Sequence, residues 1–174
     1  MAFEGSGTNF IADDILATEG TAFLHIFLII GIILNIILIE RLGRMKLQII
    51  GFTGMAVGLG ILIIGSLYNS TMIGLLFVGF AIYNLLMNMG PNATTFVLPA
   101  ELYPTEMRAT AHGFAAGIAK LGAALGIILV PILKEGYGIP VTLGVMLGLV
   151  LLALIITFLC RIETTGRSLE DITD

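Results

Sequence analysis

The residue with the clearest chemical potential is Lys120, a lone cation in a long apolar run, Ala109 to Leu133, that is otherwise broken only by His112. It stands roughly 17 Å of helix from the start of that run, at about 1.5 Å per residue. That depth makes snorkelling to the interface difficult. An ammonium there costs roughly 2.5–3.5 kcal/mol on insertion scales and normally faces a polar cavity or a partner. It is either a structural lysine held by a carboxylate or helix-end carbonyls, or a cation placed for an anionic ligand; depth favours the ligand. A second polar group lies upstream. Asn84 and Asn88 are four residues apart and share one helix face. Gly90-Pro91 then interrupts the helix, and Asn92, Thr94 and Thr95 follow. Proline frees backbone carbonyls, which is tolerated where they line a cavity or meet a neighbour. The Asn92 amide can donate to the oxygens of an anion. Asn84 and Asn88 either line that cavity or bond helix to helix, and residue type leaves both open.

Two charged clusters sit between apolar runs. Glu40, Arg41, Gly43 and Arg44 make a short loop in which glycine permits the tight turn. Glu101 and Arg108 flank Pro104 in another. As composition alone these are interfacial charges, worth about 0–1 kcal/mol per exposed pair. Tyr83 reads as packing, His112 as an interfacial or packed histidine, and Cys160, the single cysteine, as a small apolar residue.

These side chains need helices in lipid to position them. Only 11% of the 174 residues are charged and 57% are hydrophobic, with a mean hydropathy of +1.06. Soluble domains carry about 25% charged residues. Crossing a bilayer takes about 20 apolar residues, and five runs qualify: about 21–39, 47–65, 71–97, 109–133 and 139–160. The first ends at the Glu40–Lys46 loop. Ser66 to Ser70 turns between the second and third, and Lys134-Glu135-Gly136 between the fourth and fifth. Residues 1–20 carry Glu4, Asp13, Asp14 and Glu19, too acidic to cross intact, and read as an extracellular-side segment or the end of a truncated helix. Residues 162–174 form a polar tail. The fold class is therefore an all-α membrane protein.

Basic residues fall in alternate loops. Arg41, Arg44 and Lys46, then Arg108, then Arg161 and Arg167 lie on one side, with only Lys134 on the other. The positive-inside rule puts the first set and the C-terminus in the cytoplasm. Gly54/Gly58, Gly113/Gly117 and Gly122/Gly126 are small pairs at a spacing of four, which lets helix backbones approach closely. No basic run points to nucleic acid. No nucleophile–base set, metal spacing or nucleotide loop points to an enzyme, a metal or a cofactor.

Several motifs are familiar. Glu40-Arg41-Leu42-Gly43-Arg44 resembles the D/E-R-x-G-R loop signature of the major facilitator superfamily, and Glu163 to Glu170 is similar to the C-terminal signature of its sugar-porter-like branches. More specific are Gly90-Pro91-Asn92-Ala93-Thr94-Thr95-Phe96, Pro99-Ala100-Glu101-Leu102-Tyr103-Pro104-Thr105, Arg108 to Gly113, and Lys120-Leu121-Gly122. Together these resemble the phosphate:proton symporter family of that superfamily.

The resemblance implies a twelve-helix fold in two halves with substrate between them near mid-membrane. This chain would supply helices 8–12, with Ala2-Phe3-Glu4-Gly5 matching the end of helix seven. Glu4 stands where the family has tyrosine, so no binding role carries over to it. Asn92 and Lys120 match two phosphate ligands of the family. Arg41, Arg44, Glu101 and Arg108 match signature positions of a cytoplasmic latch, whose opening would be a population shift. The implied function is proton-coupled phosphate uptake across the plasma membrane, with phosphate, protons, the lipid bilayer and a missing N-terminal half as partners. A carrier for another anionic metabolite or a sugar is the nearest alternative. A non-transporting gene fragment or a half-transporter subunit is another, since the family's proton-coupling carboxylates lie mainly in the front half.

Overall fold

The computed structural model describes the backbone of residues 4–68 and 73–160, with side chains from Ala22 onward. Ala2 and Phe3, turn residues Asn69 and Ser70, and the tail from Arg161 lie outside the described residues. The described backbone is helical: α1 (Glu4–Leu42), α2 (Arg44–Leu67), α3 (Ile73–Met89), α4 (Pro91–Leu102), α5 (Thr105–Tyr137) and α6 (Ile139–Leu159). Five segments are long and apolar enough to cross a membrane, α3 and α4 together making the third.

Helix ends and apolar ends do not coincide. Helix α1 runs without a break from Glu4 through the acidic stretch into the first apolar run, so the boundary expected at residue 20 is not a change in backbone. Hydropathy locates the bilayer, whereas Asp and Glu are compatible with helix and favoured toward its N-terminal end. In the same way α5 extends past both ends of its 109–133 run, taking in Glu106, Arg108, Lys134 and Glu135.

Glycine makes two of the connections. Gly43, at φ 89°, is the only residue between α1 and α2; Gly138, at φ 83°, is the only one between α5 and α6. Both lie on the left-handed side of backbone space, which side chains with a Cβ disfavour. Helix α4 starts with Pro91 after Gly90, and α5 starts behind Pro104. Proline suits a first helical turn because its missing N–H would be unpaired there in any case.

Packing centres on α2, which lies against α3, α4 and α6, while α1 lies mainly along α3. Met55, Leu59, Leu62 and Val150 are buried at the centre. Apolar surface alone does not draw helices together in lipid, where tails are as apolar as leucine; close backbone approach does. Gly58 rests on the backbone of Gly79 and Tyr83, and Gly54 on the Leu86 side chain. Gly113, Gly117, Gly122 and Gly126, spaced identically, meet nothing within 4 Å. Gly122 and Gly126 instead border an apolar crevice of about 310 Å³ between α5 and α6. Helix α5 has no buried residue and touches chiefly α4 and α6.

Candidate functional site

The break between α3 and α4 is held by two other helices, α1 and α2. In a continuous helix the Ala93 N–H would bond to the Met89 carbonyl. Here it turns to Gly90 at 3.2 Å, and the Thr94 N–H takes the same acceptor at 3.1 Å. The freed Met89 carbonyl accepts from Asn35 Nδ2 on α1 at 2.5 Å, a buried contact. On the other side α2 approaches so closely that a Cβ on Gly51 would lie 2.2 Å from Pro91 Cδ and 2.9 Å from Gly90 Cα. Neighbouring helices thus satisfy and clamp the interrupted backbone, as an irregular segment at membrane depth requires.

Three asparagines climb through this break. Asn84 Nδ2 donates to the Phe80 carbonyl at 3.0 Å, and Asn88 Nδ2 to the Asn84 carbonyl at 2.8 Å. Asn92 Nδ2 then donates to Asn88 Oδ1 at 2.7 Å, side chain to side chain. Exposure divides them by role. Asn88 is 1% exposed, Asn84 half-buried and Asn92 exposed. Asn88 therefore sits inside the helix contact rather than on an open wall, and Asn92 presents the polar end of the series. Thr94 and Thr95 bond to carbonyls one turn back, Gly90 and Pro91.

Lys120 lies on α5, exposed, and makes no hydrogen bond or ion pair among the described residues. Residues three, four and seven positions away share a helix face. Around Lys120 these are Gly113, Ala116, Gly117, Ala123 and Ala124, all small, and Ile127, two turns toward the C-terminal end. The side of that face toward which a helical side chain leans, the N-terminal one, is thus all glycine and alanine. Lys120 is the one Asp, Glu, Lys or Arg in a described span away from the span's ends. No hydrogen bond joins Asn92 and Lys120 among the described residues; each is presented on its own helix.

The loop charges gather at the opposite end of α2 from the Leu67 terminus. Arg44 Nε and Nη2 reach one oxygen of Glu101 at 3.0 and 2.8 Å, and Nη2 reaches Glu40 at 2.9 Å. Gly43 sets this up by turning α1 into α2 within one residue. Of the other expected latch residues, Arg41 is exposed and joins no described ion pair. Arg108 Nε donates to the Tyr103 carbonyl at 3.3 Å, and its buried Nη2 has no partner among the described residues. His112 rests beside the Phe96 ring, centroids 5.9 Å apart.

Residues 8–174 match the family model described as "Sugar (and other) transporter". The chain belongs to that family. Relatives of this transporter-family chain include low affinity inorganic phosphate transporter 4 of Lotus japonicus, 40% identical over 80% of this chain and 27% of that protein. Inorganic phosphate transporter 1-11 of Oryza sativa subsp. japonica is 38% identical over 82% of this chain and 26% of that protein. The chain therefore spans about a quarter of the length of the curated relatives it matches. In structure it resembles the major facilitator superfamily proton:xylose symporter XylE bound to 6-bromo-6-deoxy-D-glucose. The TM-score is 0.79 at 21% identity, covering 91% of this chain and 34% of that one. The fold is that of the major facilitator superfamily, and five apolar helices make the chain an integral membrane protein.

Sequence reasoning passed over Asn35 and Gly51. The signal for Asn35 was present, an amide in an otherwise apolar run. Gly51 had none, because nothing in its neighbours tells which glycine meets a proline on another helix.

Proposed function

We propose that this chain forms one wall of a secondary active transporter that takes up inorganic phosphate with protons by alternating access. Lys120 carries the proposal. An unpaired ammonium at mid-span, with only glycine and alanine on its face over the two turns toward the N-terminus, has the charge and the room for an anion. The phosphate transporters among the relatives supply the identity of that anion. Depth agrees. Asn92 lies about 15 Å from the Leu102 end of α4, and the Lys120 backbone about 22 Å from the adjoining Thr105 end of α5 at 1.5 Å per residue. Helical side chains lean toward the N-terminus, which brings the ammonium down toward the level of Asn92. Phosphate held by both would lie between them, with an N-terminal half closing the other side. Transfer of the proton belongs to that half, since no described span holds a carboxylate away from its ends.

Arg44, Glu101 and Glu40 act as the latch on the cytoplasmic face of the plasma membrane, where the basic loops and C-terminus lie. Making these pairs favours the inward-closed state, and breaking them the inward-open one. A sugar carrier is the second reading, favoured by the family description and the xylose symporter fold. A neutral sugar has less use for a lone mid-span cation, which ranks it lower. The test is uptake of radiolabelled phosphate into proteoliposomes bearing the full-length transporter under an inward proton gradient. Unlabelled phosphate should compete, hexoses and pentoses should not, and a protonophore should abolish accumulation. Competition by a sugar with no phosphate uptake would reverse the ranking.

A further inference from the structure

We propose that Asn88 is a positioning residue for substrate recognition: it aims the Asn92 amide without touching the substrate itself. This rests on the phosphate reading of the site. Asn88 is 1% exposed, so nothing in a transport cavity reaches it. Its two amide atoms are both committed, Nδ2 to the Asn84 carbonyl at 2.8 Å and Oδ1 to Asn92 Nδ2 at 2.7 Å. The bond to Asn84 fixes which atom of Asn88 faces Asn92, because only Nδ2 can donate to a carbonyl. That orientation offers Asn92 an acceptor, which holds Nδ2 of Asn92 inward. One N–H and Oδ1 of Asn92 then remain for a ligand, a donor and an acceptor side by side. An oxyanion carrying a proton satisfies both, its O⁻ taking the N–H and its O–H donating to Oδ1. Gly31 allows this arrangement: a Cβ there would stand 3.0 Å from Asn88 Cβ and 2.4 Å from the Leu85 carbonyl, so α1 seals Asn88 from behind.

The test is a double-mutant cycle read on the KM for phosphate of the full-length transporter in proteoliposomes. Asn88→Leu should raise KM about tenfold with kcat little changed, because aim rather than chemistry is lost. In an Asn92→Ala background the same substitution should change KM less than about twofold, since there is no amide left to aim. Asn88→Asp should stay near wild type. A carboxyl buried there remains protonated, and it keeps one donor for Asn84 and one acceptor for Asn92. An equal KM increase from Asn88→Leu in both backgrounds, or no increase in either, would overturn the proposal. Should Asn88→Leu fail to reach the membrane, Asn88→Asp decides alone: a KM near wild type at pH 6 that rises as the carboxyl ionises supports it. A flat, uniformly raised KM refutes it. A wild type that carries no phosphate fails earlier and removes the phosphate reading itself, so the two failures are distinct.

Discussion

Arg44 on α2 holds Glu101 on α4 through two of its nitrogens, at 3.0 and 2.8 Å, although 57 residues separate them. The same guanidinium reaches Glu40 at 2.9 Å across the one-residue turn at Gly43. The two pairs differ in setting. Glu101 has a quarter of its side chain exposed and Glu40 nearly three quarters, 25% against 71%.

That difference ranks their energies. Exposed pairs contribute about 0–1 kcal/mol, and breaking a buried one costs about 3–5 kcal/mol. A double-mutant cycle of Arg44→Gln with Glu101→Gln, read by thermal unfolding in detergent, should show a coupling of about 1–2 kcal/mol. The cycle of Arg44→Gln with Glu40→Gln should show no more than about 0.5 kcal/mol. Equal couplings would mean that the bridge between helices is no stronger than the one along the chain.

Gly51→Ala should destabilise the bundle by about 1–3 kcal/mol, because overpacking forces backbones apart and the new Cβ meets Pro91 and Gly90. Gly60→Ala, on the same helix with nothing within 4 Å, should be neutral or slightly stabilising. Melting temperatures of the two variants against wild type make the comparison, and matching losses would contradict the observed seam.

Asn35→Leu should cost about 1 kcal/mol, between the average of about 0.6 and the maximum of about 1.7 kcal/mol for interhelical hydrogen bonds in membranes. It leaves the Met89 carbonyl buried without its donor. Asn35→Leu should also make the α3–α4 break more open to hydrogen exchange at Asn92 and Ala93 than at Leu59. Unchanged exchange there would show that Gly51 alone holds the break.

Much of this was legible in the chain, for physical reasons. Lipid excludes charge, so the runs between charged clusters mark the spans, and Gly90-Pro91 marks an interruption that no continuous helix absorbs. The Glu40–Arg44 loop and Glu101 could be paired through their motifs, and Arg44 with Glu101 is the pair that forms. Helix ends were less legible because charged residues continue a helix beyond the bilayer, as at both ends of α5 and along the acidic start of α1. Spacing alone could not separate Gly54/Gly58, which meet α3, from Gly113/Gly117, which meet nothing described. Asn84, Asn88 and Asn92 share a face by periodicity, yet their division into buried support and exposed end depends on how closely α1 and α2 approach. That distance is set by glycines on other helices.

If Lys120 receives the anion, removing its charge must weaken phosphate binding, and the KM for phosphate of Lys120→Gln in the reconstituted full-length transporter reads that weakening. Glutamine keeps much of the stem and removes the charge. The expected result is a KM raised at least about tenfold, or uptake lost altogether, with normal protein abundance and with Lys120→Arg falling between the two. Phosphate uptake in Lys120→Gln with unchanged KM would mean that another group receives the anion.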